Sequence, residues 1–251
     1  MSVLQAGPSV LVVVIAAAGG IGTSAHGQAP PLRAPVPQSR PDTAPPSAPP
    51  VPSTPSASPA TTGPHAATTS ACQARLALAG VRFSPVGPPD PRADCAIDDP
   101  VRLDGMATDD GDVRWPDRPV VSCAFADTLA DFTRSVAAPL ARATAGRRLV
   151  AFGTGPGFAC RPRSRVEGGK MSAHGRGLAI DISWFDVGGG RRERVAAPGD
   201  ATVARYVQTL RRAACGWFTT VLGPGSDAAH ADHLHFDLER RGQRGDNRLC
   251  Q

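Results

Sequence analysis

The sequence predicts a small α+β domain in residues 71–251, with an antiparallel sheet flanked by helices. Apolar residues recur at spacings of three and four within residues 120–145 and 200–216, as they do in amphipathic helices. Apolar and polar residues alternate in residues 177–184 and 233–238, as they do in strands with one buried face. Strands separated by helices, with a closing hairpin, are typical of this fold class.

The individual elements follow from the same patterns. A short helix is expected over residues 72–78 and a strand over residues 148–152. Pro139 would kink or shorten the helix expected within residues 120–145. The later helix is expected to start after Asp200, a favourable N-cap, and to stop near a glycine. The apolar stripes of these two longer helices are Leu129, Phe132, Val136 and Leu140, and then Val203, Tyr206, Val207 and Leu210.

The first 70 residues differ in composition from the rest of the chain. Half of the 26 prolines fall between Pro30 and Pro64, in a stretch with too few large apolar residues to offset its ordering entropy. We therefore expect a disordered Pro/Ala/Ser/Thr-rich linker over residues 28–70. Residues 1–27 contain a short apolar run followed by small residues, which is typical of a signal peptide. Because no Lys or Arg precedes that run, an uncleaved N-terminal anchor in the inner membrane is the alternative.

Cysteine content and charge indicate the compartment and the partners. All six cysteines lie in residues 71–251 and none forms a CxxC pair, so we expect three structural disulfides of open pairing in an exported protein. The net charge of +5 comes almost entirely from arginine and favours anionic partners. The basic residues are not interleaved with aromatic ones, which argues against nucleic acid as a partner. We expect a periplasmic or cell-envelope protein that contacts a cell-wall polymer or its peptide carboxylates.

Four of the six histidines fall into two short segments of the domain. His174 lies in SAHGRGLAID (residues 172–181), and the other three lie in HADHLH (residues 230–235). A single histidine is usually satisfied by hydrogen bonds within the core, but two such segments in one exported domain favour a metal site.

The alternation within the two segments predicts how they meet. In a strand, His233, His235 and Asp237 share one face, and the apolar residues between them pack on the core. The same alternation places Asp181 on the polar face of its own segment. Because a buried carboxylate that faces histidines is unfavourable unless it is paired or bound to a metal, we expect the two strands to build one site between them.

Two histidines and one carboxylate form a common catalytic zinc set, with water in the fourth position. Zinc lowers the pKa of such a water to roughly 7 and polarises a substrate carbonyl. A neighbouring imidazole or carboxylate can then accept a proton and pass it to a leaving amine. The chain has no G-x-S-x-G motif, so a serine hydrolase of that type lacks its nucleophile. The sequence therefore predicts a Zn²⁺-dependent hydrolase.

These motifs resemble those of known proteins. The pattern S-x-H-x2-G-x-A-x-D followed by a late HxH is similar to that of the LAS zinc peptidases, named for lysostaphin, D-Ala-D-Ala peptidases and sonic hedgehog. Nearly all of residues 71–251 resembles the extensin-like C-terminal domain family more closely. The LAS resemblance implies a hedgehog- or DD-peptidase-like fold. The matching pieces are Cys160-Arg161, SAHGRGLAID, ACGWF (residues 214–218), VLGP (residues 221–224), HADHLH and Cys250.

The LAS resemblance also implies a role for each residue that matches its pattern. It implies that His174, Asp181 and His235 are the zinc ligands. His233 is then the catalytic base or the group that stabilises the transition state. His230 takes the place of a further active-site histidine, with a local loop hydrogen bond as the alternative.

Three more residues enter through the resemblance. LAS dipeptidases often carry a glutamate base three residues before the last ligand, where this chain has Asp232. The shorter Asp232 would face away from His235 on a regular strand, so we expect His233 to be the base and keep Asp232 as its rival. Ser172 and Arg161 are implied to bind the substrate backbone or carboxylate and to stabilise the developing oxyanion. An ordinary surface arginine is the alternative for Arg161.

The expected function is that of a monomeric zinc metallopeptidase that hydrolyses peptide bonds of peptidoglycan, as a carboxypeptidase or a cross-link endopeptidase. The alternative is a non-catalytic wall-binding module with a retained zinc site, and a zinc amidase is a third hypothesis. A structural zinc site is closed by a fourth protein ligand, whereas a catalytic site keeps that position open. Membrane contact is expected only through an uncleaved N-terminal segment.

Overall fold

The computed structural model describes residues 69–163 and 166–251. The predicted signal peptide and all but the last two residues of the predicted linker lie outside the described residues. Within the described residues, no helix is long and apolar enough to cross a lipid bilayer.

Four α-helices lie in the described residues, and three of them begin at a polar N-cap. Ser70, Ser122 and Asp200 each accept a hydrogen bond from a backbone N–H in the first helical turn, which satisfies a donor that has no partner within the helix. The helices predicted over residues 72–78 and after Asp200 are confirmed. The four helices are α1 (Ala71–Leu78), α2 (Cys123–Phe132), α3 (Ala138–Ala145) and α4 (Ala201–Ala214).

The helix predicted within residues 120–145 is only partly correct. Residues 120–122 form a strand instead, because Val120 and Val121 pair with a neighbouring strand through their backbone. A π-helical turn, Thr133–Ala137, separates α2 from α3. Pro139 lies just after this turn and has no N–H to donate to the carbonyl four residues earlier. The π-helical turn interrupts the α-helical hydrogen bonding just before Pro139, but the backbone keeps helical angles through to Ala145, so a kink at Pro139 stays a prediction.

Eleven short strands in the described residues form two sheets. The first sheet has the order β1-β2-β3-β5-β7-β8, with β4 also paired to β2, and the second has the order β11-β9-β10-β6. The strands are β1 (Val81–Pro85), β2 (Pro100–Met106), β3 (Val113–Arg114), β4 (Val120–Ser122), β5 (Ala151–Gly153), β6 (Ala179–Ile182), β7 (Trp184–Asp186), β8 (Glu193–Arg194), β9 (Thr220–Leu222), β10 (Leu234–Asp237) and β11 (Leu249–Cys250).

The predicted α+β class is confirmed, but the prediction of one small antiparallel sheet is wrong in its number of sheets. Both sheets are mainly antiparallel, with one parallel pair in each, β3–β5 and β9–β11. Five strands of the first sheet have only two or three residues, which is too short to produce a visible alternation in sequence. The longer strands β1 and β2, of five and seven residues, were missed although they do alternate.

The two sheets are joined at Ser183, the single residue between β6 and β7. The backbone N–H of Ser183 donates to the carbonyl of Gly153 on β5 at 3.0 Å. The chain therefore passes directly from the second sheet to the first, just after β6 has presented Asp181. This junction ties the segment that carries the candidate ligand to the larger sheet.

A cluster of aromatic side chains supports β10 from behind. Phe236 of β10 stacks on Phe218, with ring centroids 4.9 Å apart. Phe132 of α2 meets both rings edge-on, at 5.9 Å from Phe236 and 5.3 Å from Phe218. All three side chains are buried, so the strand that carries His235 is fixed by the core on its apolar face.

Three disulfides confirm the prediction that all six cysteines are structural. The sequence left their pairing open. Cys72–Cys123 links α1 to α2, and Cys215–Cys250 links the end of α4 to β11. Cys95–Cys160 joins the short helical turn Ala93–Cys95 to the segment that leads to His174. Each bridge therefore fastens a loop or a short element to the core.

Replacing Phe132 by alanine tests the aromatic support of β10. Because the ring is almost fully buried, Phe132→Ala is expected to lower the free energy of unfolding by about 3–5 kcal/mol, as measured by urea denaturation. The control is Leu78→Ala on α1, where the side chain is 90 % exposed and the expected change is within about 0.5 kcal/mol. Equal effects of the two substitutions would contradict the packing described above.

Candidate metal centre

A short helical turn positions His174. The 3-10 turn Ala173–Arg176 starts at Ser172, whose hydroxyl accepts from the backbone N–H of His174 at 3.4 Å. It ends at Gly177, which adopts a left-handed conformation with φ of 62°. A Cβ on Gly177 would also lie 2.7 Å from the backbone N of Ser122. Glycine is therefore required here both for the reversal and for the close approach to β4.

The pairing of β6 with β10 brings Asp181 and His235 together. The strands are antiparallel, and the register places His235 directly opposite Asp181. The flanking residues Ile180, Ile182, Leu234 and Phe236 point to the other face and are buried. The predicted alternation in both segments is thus confirmed, and the polar faces of the two strands meet as expected.

Three potential ligand atoms converge at this point. His235 Nδ1 lies 2.8 Å from Asp181 Oδ1, and His174 Nε2 lies 3.3 Å from both of these atoms. Ligand atoms bound to one tetrahedral zinc at about 2.0–2.2 Å are about 3.3–3.6 Å from one another. The three groups therefore fit a single small cation with little movement, and they form a group of mutually close ligand atoms within 4.8 Å.

The outward-facing nitrogen of each histidine is held by an acceptor. His174 Nδ1 donates to the carbonyl of Gly157 at 2.7 Å, and His235 Nε2 donates to Asp237 Oδ2 at 3.2 Å. These hydrogen bonds orient both rings and direct the other nitrogen of each ring towards Asp181. A metal-binding histidine commonly has such a partner on its second nitrogen.

The charges within the cluster are strongly coupled. Burial of His235 opposes its protonation, but hydrogen bonds to Asp181 and Asp237 outweigh burial and raise the pKa of His235 to about 9. Burial likewise opposes ionisation of Asp181, but hydrogen bonds from His174 and His235 hold its pKa well below the usual range. In the absence of a metal, a protonated His235 therefore lies between two carboxylates at neutral pH.

His233 and Asp232 form a pair beside the ligand cluster. His233 Nε2 lies 3.4 Å from Asp181 Oδ1, while His233 Nδ1 donates to Asp232 Oδ1 at 2.8 Å. The side chain of Asp232 is 70 % exposed and precedes β10. Asp232 is therefore placed to orient His233, and His233 is the member of the pair that faces the cluster.

His230 makes the local loop hydrogen bond that was one of its two alternatives, and its ring also lies near the cluster. Its Nδ1 donates to Asp227 Oδ1 at 2.7 Å, which is a local loop hydrogen bond. Its ring centroid also lies 5.3 Å from that of His233 and 5.4 Å from that of His235. The local bond thus holds the ring at the edge of the candidate site.

The four histidines and Asp181 line a cavity of about 300 Å³. Arg161 and Ser172, the two candidate substrate-binding residues, also line it. Ser172 is buried and its hydroxyl caps the turn of His174. All eight residues singled out from sequence are therefore brought to one region, with Asp232 reaching it through its contact with His233.

Several residues of this region were not assigned a role from sequence. Asp237 was placed on the correct face of its strand, but its hydrogen bond to His235 was not predicted. The carbonyl of Gly157 could not have been found, since it is a backbone group brought in by the fold. Arg163 and Arg241 line the cavity as well, and neither lies in a recognisable motif.

The chain belongs to the family described as Extensin-like protein C-terminus, which matches residues 70–251. The match covers the whole domain, including every residue of the candidate metal centre. No curated protein and no solved structure gives a significant match to the chain. The predicted membership in the extensin-like family is thereby confirmed.

The raised pKa of His235 can be measured in the metal-free protein. We expect its ring to titrate at about pH 9 when followed by NMR after treatment with a chelator. Asp237→Asn removes one of the two carboxylates that stabilise the cation, so the pKa should fall towards the ordinary value near 6.5. The matched control is Asp227→Asn, which alters only the partner of His230 and should leave His235 unchanged. A wild-type His235 that titrates near 6.5 would contradict the described contacts.

Proposed function

We propose that this domain is a zinc-dependent peptidase that hydrolyses peptide bonds of peptidoglycan. The observation that carries the proposal is the convergence of His174, Asp181 and His235, with His233 beside them in a cavity. The similarity of these motifs to those of LAS zinc peptidases supports the same activity and a hedgehog- or DD-peptidase-like arrangement.

The donor set favours zinc as the metal. Two imidazoles and one carboxylate with an outer hydrogen bond on each imidazole suit Zn²⁺ better than Ca²⁺ or Mg²⁺, which prefer oxygen ligands. Bound zinc would act as a Lewis acid towards a carbonyl oxygen and would lower the pKa of a water molecule. Binding requires His235 to lose its proton, so zinc affinity should rise with pH up to the pKa of that residue.

His233 is the group proposed to move the proton. Its Nδ1 is held by Asp232 at 2.8 Å, which leaves Nε2 as the nitrogen that faces the cavity. Neutral His233 can therefore accept a proton at Nε2 and later donate it to the leaving amine. The carboxylate of Asp232 stabilises the charged ring, so we assign Asp232 an orienting role in place of the base role that was its alternative.

Ser172, Arg161 and His230 are proposed to bind the substrate. Arg161 and His230 line the cavity and can donate hydrogen bonds to a carbonyl or a carboxylate. The hydroxyl of Ser172 accepts from the backbone of His174, so its own hydrogen remains able to bond to a substrate oxygen. These donors would hold a peptide group in reach of His233.

Peptidoglycan is proposed as the substrate because of the compartment and the charge. Three disulfides with no free cysteine favour an oxidising location, in agreement with an exported periplasmic or cell-envelope protein. A net charge of +5 favours a polymer that carries carboxylates. We propose that the domain acts on it as a monomer.

The second candidate function is a wall-binding module with a structural zinc. Such a site would be closed by a fourth protein ligand. Among the described residues, the group of mutually close ligand atoms around Asp181 contains three residues, and His233 is not one of them. This incomplete protein shell favours the peptidase.

Cleavage of peptidoglycan by the full-length, zinc-loaded chain tests the proposal. We expect mass spectrometry of the soluble muropeptides to reveal a cut that disappears with His174→Ala. Removing the proposed base with His233→Ala should reduce kcat by about 10² to 10⁴. The matched control is His65→Ala, a histidine outside the family match, which should cut like the wild type. Stoichiometric zinc binding without any cleavage would sink the peptidase and favour the wall-binding module.

A further inference from the structure

One buried carboxylate outside the ligand cluster has three cationic partners. The side chain of Glu239 is 4 % exposed and forms ion pairs with Arg163, Lys170 and Arg176. Lys170 lies at 2.7 Å and Arg176 at 2.8 Å from Glu239 Oε1, and Arg163 bonds to Oε2. An arrangement with three cations around one buried carboxylate costs desolvation energy, and the proposed peptidase chemistry does not require it.

Glu239 is rigidly connected to the strand of His235. Its backbone N–H donates to Asp237 Oδ1 at 3.0 Å, and its carbonyl accepts from Thr219 Oγ1 at 2.9 Å. Asp237 in turn holds His235. The carboxylate of Glu239 is thus fixed relative to the candidate ligands.

The partners of Glu239 include both arms of a narrow backbone hairpin. Arg163 N donates to Lys170 O at 2.9 Å, and Ser172 N donates to Arg161 O at 3.1 Å. Glu239 binds the side chains of Arg163 and Lys170 on these two arms. Its carboxylate therefore fastens the hairpin that carries Arg161 and Ser172 to the cavity.

The cavity has an excess of accessible positive charge. Three of its lining side chains are arginines, Arg161, Arg163 and Arg241, and Arg163 and Arg241 remain 38 % and 25 % exposed. Two carboxylates also line the cavity, so the arginines outnumber them by one. Asp237 is only 3 % exposed, is bonded to His235 and lies 3.7 Å from Arg241, and Asp181 belongs to the ligand cluster. Arg241 is itself held, since its Nε donates to Thr220 Oγ1 at 2.6 Å. Arginines fixed in this way are well suited to recognise a carboxylate.

We propose that Glu239 is a positioning residue that fixes Arg163 at the cavity, where Arg163 and Arg241 recognise a carboxylate group of the substrate. The inference rests on the proposed function only in taking a peptidoglycan peptide as the bearer of that carboxylate. Glu239 itself does not touch the substrate. Its role is to hold the guanidinium of Arg163 where an incoming carboxylate can reach its remaining donors.

The experiment compares the binding of two probes to the full-length chain. The probes are the disaccharide tetrapeptide obtained from peptidoglycan and the same compound with its carboxylates converted to carboxamides. Zinc-loaded protein carrying His233→Gln, which prevents turnover, is titrated with each probe in a calorimeter. We expect the carboxylate probe to bind about tenfold more tightly, which is the gain of one charge-assisted hydrogen-bonding contact.

Two substitutions and two matched controls are introduced into this background. Arg163→Gln should abolish the preference, and Glu239→Gln should reduce it to about threefold or less because Arg163 is no longer held. Lys170→Gln also removes one cationic partner of Glu239, but Lys170 does not line the cavity. Glu167→Gln neutralises an exposed glutamate of the same hairpin. Both controls should retain the preference within about twofold.

The ratio of the two affinities distinguishes positioning from a general loss of stability, because partial unfolding weakens both probes equally. Equal affinities of the two probes for the parent protein, including no binding of either, would overturn the inference. It would also be overturned if Arg163→Gln behaved like Lys170→Gln. If the preference is present but the wild-type chain cuts no peptidoglycan, the proposed peptidase fails and the carboxylate site stands. If the wild-type chain cuts peptidoglycan but the parent protein does not prefer the carboxylate probe, the peptidase stands and the carboxylate site fails.

Discussion

The candidate site depends on one register, the pairing of β6 with β10 that sets His235 opposite Asp181. Side chains alternate between faces along a strand, so a shift of β10 by one residue would move His235 to the core face, away from Asp181 on β6. The same shift would expose Phe236, which stacks on Phe218 at 4.9 Å. The aromatic core and the polar cluster therefore require the same register, and each stabilises the arrangement that the other needs.

Hydrogen bonds to the two histidines orient their rings for metal binding. The carbonyl of Gly157 accepts a hydrogen bond from His174 and the carboxylate of Asp237 accepts one from His235. Neither ring can therefore rotate without losing a hydrogen bond. Asp237 is also connected to Glu239 through the backbone, and Glu239 holds the hairpin of Arg161 and Ser172. The ligand cluster and the hairpin at the cavity are thus connected through β10 and the residues that follow it.

The sequence was sufficient to predict the residues whose role depends on local periodicity. Alternation in two short segments placed His235 and Asp181 on polar strand faces, and the helical stripe after Asp200 identified a buried face. The pairings of the cysteines and the contact of Gly157 depend on residues far apart in the chain, so no local pattern reports them. Strands as short as β3 and β8 have no period to detect, whereas β1 and β2 alternate between apolar and polar residues and could have been predicted. Glu239 was overlooked for a related reason, since its partners come from a loop more than sixty residues away.

The central claim is that His174, Asp181 and His235 bind one zinc ion, and metal stoichiometry tests it most directly. Full-length protein is equilibrated with zinc, freed of loosely bound metal and analysed by inductively coupled plasma mass spectrometry. The account predicts about one zinc per chain, loss of that zinc with Asp181→Asn, and its retention with Asp246→Asn at an exposed position. Circular dichroism would establish that both variants remain folded. A folded wild-type chain without zinc, or an Asp181→Asn variant that retains it, would contradict the account.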